Sequence, residues 1–197
     1  MKKIIFIILL FYFSTSCESG KRADLLLLED GKELFFQSQY KKAIIPLQKS
    51  ARLNPKNDVT IAYLGFCQYH LDNTSTGLIY FNQSLKLNAR NNIALFGKSL
   101  ILWNMDDHLN AYVLFDSVGK INPNHDKVFY FKAQAELYFG DTLSGVQNLK
   151  KAIQNAEDYT ESYYLLASIY LVKGKQNKAD SLIKIASSKK IELLKIP

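Results

Sequence analysis

The stretch DVTIAYLGFCQYHLDNTSTGLIYFNQSLKLNARN, residues 58–91, decides the fold. Two small residues, Gly65 and Gly77, stand between two large ones, Ile61 and Phe81. The pair Asp72-Asn73 breaks the chain between the two glycines. A step of 34 residues in either direction returns the same pattern of sizes. Gly31, Gly65, Ser99, Ala133 and Ala167 form one column of small residues, and Ala43, Gly77, Ala111, Gly145 and Ala179 form another. Large residues recur at Leu47, Phe81, Phe115, Leu149 and Ile183, and at Leu27, Ile61, Leu95, Phe129 and Tyr163. A fifth column holds Ser50, Ser84, Val118, Ala152 and Ala186. Five columns stay in register five times without insertion or deletion.

Alternation of large and small side chains lets two antiparallel helices approach closely, a bulky group of one entering the gap left by Gly or Ala on the other. Asp72-Asn73, Gly140-Asp141 and Gly174 read as turns inside units. Asn54-Pro55 and Asn122-Pro123 read as stops between units. Pro46 falls inside a second helix and predicts a local kink.

These columns resemble the tetratricopeptide repeat. The resemblance implies an all-α fold, a right-handed superhelical solenoid of five 34-residue helix-turn-helix units: 24–57, 58–91, 92–125, 126–159 and 160–193. Pro55 and Pro123 match the proline favoured at the thirty-second position. Asp30, Lys98 and Lys132 depart from the usual apolar seventh residue, and Ala89, Glu157 and Ile191 replace the proline. A single unit buries too little, so stacking of neighbours must complete the core. Leu78, Tyr112 and Val146, with Leu85 and Ile153, are placed to face the following unit, whereas the fifth unit has Asp180 and Ser187 there, a polar end cap.

The first residues carry a different message. Met1-Lys2-Lys3 is basic, Ile4 to Phe13 is an unbroken apolar run, and Ser14-Thr15-Ser16 leads into Cys17. This is the pattern of a secretory signal. A cysteine directly after the cut resembles the bacterial lipoprotein signal, which implies removal of 1–16, lipidation of Cys17 (palmitate among the acyl groups) and a short tether over 17–23. Ser14 stands where that family favours Leu. A plain signal cut near Ser16, leaving Cys17 a free thiol, is the alternative. The resemblance places the chain on the bacterial envelope, the outer membrane and its periplasmic side favoured. Residues 194–197 form a tail.

Composition excludes other classes. The chain has 197 residues, 48% hydrophobic and 22% charged, enough apolar material for a buried core. Its two Cys make no disulfide framework, and no apolar run reaches the roughly 18–20 residues that span a bilayer. Loss of residues 1–16 removes Lys2 and Lys3 and no acid, so the net charge falls from +7 to +5. That modest excess gives no reason to expect nucleic acid as a partner.

Function is expected on the first helices, which in tetratricopeptide arrays line the concave face. The resemblance points the fifth, ninth, twelfth and thirteenth residues of each unit into that groove. The candidate partner-binding set is Phe35, Phe66, Tyr69, His70, Phe96, Trp103, Asn104, Tyr130, Gln134, Tyr138 and Tyr164, aromatic and almost uncharged. Phe96, Tyr130 and Tyr164 are expected to be exposed, while Phe35, Tyr69 and Trp103 either line the groove or pack between first helices. Rings give large contact area with few rotors to freeze. The fifth and ninth positions hold one charge, Lys32, and no Asn, so the clamp with which related domains hold acidic chaperone tails is missing.

Other features read as structure. Cys67 and His70 lie three apart, but two ligands do not make a zinc site, and Cys67 shares a column with Ile101, Ala135 and Ile169. His108 and His125 fall in turns and are expected to be solvated. No catalytic constellation, cofactor-binding motif or metal set is present, so an enzyme is not expected. From Lys173 onward seven Lys face two acids, and Leu193, Leu194 and Ile196 leave an apolar tip. The expected function is a membrane-anchored adaptor or scaffold that binds another protein or peptide through its aromatic groove. Self-assembly, copy upon copy through that C-terminal end, is the alternative.

Overall fold

A computed structural model describes residues 23–125 and 127–193, with side chains to 189. The expected signal, Cys17, the tether up to residue 22 and the tail lie outside the described residues. The described chain is helical: α1 (23–36), α2 (Tyr40–Leu53), α3 (Asp58–His70), α4 (Thr74–Leu87), α5 (Asn92–Asn104), α6 (His108–Ile121), α7 (Val128–Tyr138), α8 (Thr142–Asn155), α9 (Thr160–Val172) and α10 (Gln176–Leu193). The second helix of each pair begins 34 residues after the previous one, at Tyr40, Thr74, His108, Thr142 and Gln176. Helix α2 runs on through Pro46, which removes one backbone donor without ending the helix. None of the described helices is long and apolar enough to cross a membrane.

The chain divides into two compact units, one reaching Ile101 and the other starting at Leu102. In the first, α3 packs against both α2 and α4. Its core joins Leu28, Ala43, Leu47, Tyr63, Leu64 and Cys67. In the second, α6 to α10 pack in chain order around a core that includes Ala133, Leu149 and Leu166.

The size columns have a direct physical cause. Leu47, Phe81, Phe115 and Leu149 are wholly buried. A Cβ added at Gly31 would meet Leu47 at 2.5 Å, and one at Gly65 would meet the Phe81 ring at 2.7 Å. The Phe81 ring also lies against Gly97 on α5, closer still than at Gly65. One ring therefore fills gaps on two helices.

Polar groups repeat on the same period. Ser50 Oγ donates to the backbone carbonyl of Asp24, and Ser84 Oγ to that of Asp58, each at 2.8 Å. Asn54 and Asn88 donate from Nδ2 to the carboxylates of Asp24 and Asp58, again at 2.8 Å. Each of these first two pairs is thus stapled where its helices begin and end. The lysines that break the apolar seventh position are also paired. Lys98 Nζ reaches Asn82 Oδ1 at 2.9 Å, and Lys132 Nζ reaches Asp116 Oδ1 at 2.6 Å, both spanning to the preceding second helix. Burial works against the Asp116 charge, but hydrogen bonds from Lys120 and Lys132 outweigh it and hold the carboxyl below its ordinary pKa.

All five turns inside the pairs share one geometry. Ser38, Asp72, Asp106, Gly140 and Gly174 have φ of 59°, 60°, 61°, 86° and 67°. Each is followed by an N–H that returns to the last turn of the first helix: Gln39 to Leu34, Asn73 to Gln68, Asp107 to Leu102, Asp141 to Glu136 and Lys175 to Tyr170. This is the Schellman arrangement, which puts one residue in the left-handed region that glycine adopts freely and other residues enter at a cost. The outer face of α10 is polar, with Asp180 and Ser187 exposed where Leu78, Tyr112, Leu85 and Ile153 are half-buried.

Asp72→Gly should stabilise the protein by about 1 kcal/mol and Gly140→Ala should destabilise it by a similar amount, both read from denaturant midpoints at constant m-value.

Candidate functional site

Two three-ring clusters occupy equivalent places, one in each compact unit. In the first, Phe35 from the end of α1, Tyr40 from the start of α2 and His70 from the end of α3 converge. Phe35 lies 5.4 Å from Tyr40 and 5.7 Å from His70, and Tyr40 stacks on His70 at 4.5 Å with 6° between planes. In the second, Trp103, His108 and Tyr138 hold the corresponding positions on α5, α6 and α7. Trp103 is 4.4 Å from His108 and 6.0 Å from Tyr138, and His108 is 4.2 Å from Tyr138. Each cluster combines one imidazole with two larger aromatic side chains, and the imidazole comes from a different position in each. The intervening unit has Tyr69, Thr74 and Asn104 at these positions, which supply a single ring.

The fate of the expected groove residues is mixed. In the first unit Phe66 packs edge-on against Phe81 at 5.0 Å and lies 6.4 Å from Phe96. Both Phe66 and Phe96 are 8% exposed. The expectation that Phe96 faces solvent is therefore corrected: it is buried, with Phe66 of the preceding first helix beside it. Phe35 and Tyr69 are half-buried and His70 is exposed, and Phe36, at the thirteenth position of the first unit, is 70% exposed. In the second unit Trp103, Tyr130 and Gln134 are half-buried, while Asn104, Tyr138 and Tyr164 are exposed. Tyr138 keeps 61% and Tyr164 39% of its surface accessible. Gln134 Nε2 donates to Tyr130 Oη at 3.2 Å, and Tyr130 meets Tyr159 edge to face at 5.1 Å. Tyr130 titrates above the ordinary tyrosine range, chiefly through burial and secondarily through the Glu161 charge, so its hydroxyl is neutral and available as donor and acceptor.

Both turn histidines also depart from expectation. The His108 side chain is only 15% exposed, opens α6 and is held between rings, with Nε2 3.7 Å from Asp106. Its buried Nδ1 has no hydrogen-bond partner among the described residues. His125 Nδ1 accepts from the backbone N–H of Lys127 and Val128 at 3.3 and 3.2 Å. It thereby caps the start of α7, where no side chain of the preceding residue does so.

Cys67 is buried against the first core, and burial alone pushes its thiol up to about 12. No group of three or more His, Cys, Asp or Glu among the described residues is arranged to hold a metal ion. The buried carboxylate of Glu136 titrates above its ordinary value because of desolvation, opposed by two bonds from Asn148 at 2.9 and 2.7 Å. It is a satisfied core group.

The arrangement is a tetratricopeptide-type helical repeat with aromatic side chains gathered at the ends of its first helices. No protein-family model matches the chain, and no curated protein matches it in sequence. Solved structures show the same fold. PilF of Pseudomonas aeruginosa superposes with a TM-score of 0.77 at 13% identity, over 87% of this chain and 78% of that one. MamA of Desulfovibrio magneticus does so with 0.64 at 15%, over 86% and 96%. YrrB, a TPR protein with an unusual peptide-binding site, gives 0.60 at 12%, over 90% and 91%.

His108→Ala should uncover Trp103, the chain's single tryptophan. We expect a red-shifted emission maximum and a loss of about 0.5–1.5 kcal/mol of stability for each ring contact removed.

In a Cys17→Ser background, Cys67 should resist a thiol reagent at pH 8 until the protein is unfolded. Because its folded pKa is the higher one, its stabilising contribution is complete below the unfolded thiol value of about 8.5. That contribution disappears as pH climbs toward 12.

Proposed function

We propose that this protein is a lipid-anchored adaptor of the bacterial envelope that holds a segment of another protein against the aromatic face of its first helices. The observation that carries the reading is the exposure of Tyr138 and Tyr164 beside half-buried Tyr130 and Gln134. Large rings left open to water on rigid helices are the side chains that dominate binding energy at interfaces. The Tyr130 hydroxyl, the Gln134 carboxamide and Asn104 offer neutral hydrogen-bonding groups beside them. Such a surface suits an extended or helical peptide of low charge. The unusual peptide-binding site of YrrB supports the same use of this fold.

The anchor rests on Lys2-Lys3, the apolar run Ile4 to Phe13 and Cys17. Several acyl chains on one cysteine hold firmly, since each buried CH₂ contributes roughly 0.8 kcal/mol. Glu18 to Ala23 span at most about 20 Å when extended, which keeps the repeats near the lipid and points to other envelope proteins as partners.

Site-specific photocrosslinking in the native cell tests the reading. A photoreactive side chain at Tyr138 or Tyr164 should give a discrete crosslinked product, and the same group at Lys184, on α10, should not. Tyr138→Ala with Tyr164→Ala should remove the product and cost at least about 2 kcal/mol of partner affinity, while the helical fold is kept and stability falls only by the contacts of Tyr138 with Trp103 and His108. Cys17→Ser should abolish palmitate labelling and release the protein from the membrane fraction. A product indifferent to the double change would retire the aromatic face.

A further inference from the structure

The first compact unit carries a groove of about 550 Å³ on the side of its second helices, away from the first-helix positions assigned to the aromatic surface. Ile61 and Leu64 of α3, both buried, form its floor, and Leu87 of α4 adds apolar surface at one wall. Arg52 of α2 and Lys86 of α4 stand at its rim on successive second helices, 34 residues apart. None of the side chains lining it is acidic.

The crevice is open here for a reason written in the seventh position of the repeat. At the two following places Lys98 and Lys132 reach across from the first helix to Asn82 and Asp116 on the preceding second helix. At this place the seventh residue is Leu64 and the residue opposite it is Gln48, a pair that leaves the space unbridged. The two cations are also left without an internal partner. Lys120, which follows Lys86 by 34 residues, is neutralised by Asp116 at 2.7 Å. Neither Arg52 nor Lys86 has an ion pair among the described residues, and both are exposed. The nearest acid in sequence to the groove, Asp58, is already taken by Asn88 and Asn91 at 2.8 and 2.7 Å.

We infer that this groove binds an acidic peptide segment, a branched apolar side chain seated on Ile61 and Leu64 and flanking carboxylates held by Arg52 and Lys86. The volume is in the range of pockets that enclose a few side chains. Arginine's planar fork matches a carboxylate bidentately. An all-cationic rim also excludes basic segments of the same shape, which gives selectivity as well as attraction.

The probe is a short fluorescein-tagged peptide with a Leu-Leu pair between aspartates, added to the full chain at low ionic strength and followed by fluorescence anisotropy. It should bind and be displaced by salt. The same peptide with lysine in place of aspartate should not bind. Arg52→Ala with Lys86→Ala should weaken binding about tenfold or more at unchanged melting temperature, since both side chains are exposed. Leu64→Lys installs the bridge used at the other two places but also removes a core side chain; with helicity retained, it should close the groove and abolish binding. Tyr138→Ala with Tyr164→Ala should leave it intact, which separates this site from the aromatic face. Absence of binding at millimolar peptide, equal binding of the acidic and basic probes, or indifference to the Arg52/Lys86 change would each overturn the proposal.

Discussion

Everything in this structure depends on how near two helices can come. At three of the pairs one helix offers almost no side chain, Gly31, Gly65 or Ala133, and the other inserts Leu47, Phe81 or Leu149 into the space. Interior packing leaves no slack for a misplaced methyl group, so the small residue and the large one specify each other. Phe81 extends the constraint to a third helix through Gly97. The turns are equally uniform: all five put a residue of positive φ at one register position, so each first helix ends in the same kind of turn.

The helix pairs were legible in the sequence because size is periodic and each size has a steric partner within its own unit. The turns were legible at Gly140 and Gly174, where glycine announces the left-handed residue. At Ser38 the same conformation carries a side chain that does not announce it. The polar staple of Asp24, Ser50 and Asn54 repeats at Asp58, Ser84 and Asn88. A reading by bulk alone passes over it, since hydrogen-bonding groups of equal spacing but modest size leave no mark in a size column.

The surface was harder to read. Whether a first-helix ring is open depends on the residues that the adjoining helices bring over it. Phe96 and Tyr164 hold the same place in the repeat, yet the first is buried beneath its neighbours and the second is open. His108 reads as a turn residue by position, but its ring is trapped between those of Trp103 and Tyr138, a meeting of three helices that no single unit displays. Lys98 and Lys132 look like flaws in the seventh column until their partners, sixteen residues earlier, are seen across the crevice. The seventh position thus decides whether a crevice is bridged or open, a choice made one residue at a time without touching the helices themselves.

The staple has a kinetic meaning. Asp24 is joined to Ser50 and Asn54 across 26 and 30 residues, and Asp58 to Ser84, Asn88 and Asn91 across 26, 30 and 33. Wiring of such short reach gives low contact order, the topology of fast-folding chains. A growing polypeptide of this design needs little more than one period beyond the ribosome before its earliest hairpin of helices has every bond it will ever make internally, and synthesis can proceed as successive small closures in place of one late collapse.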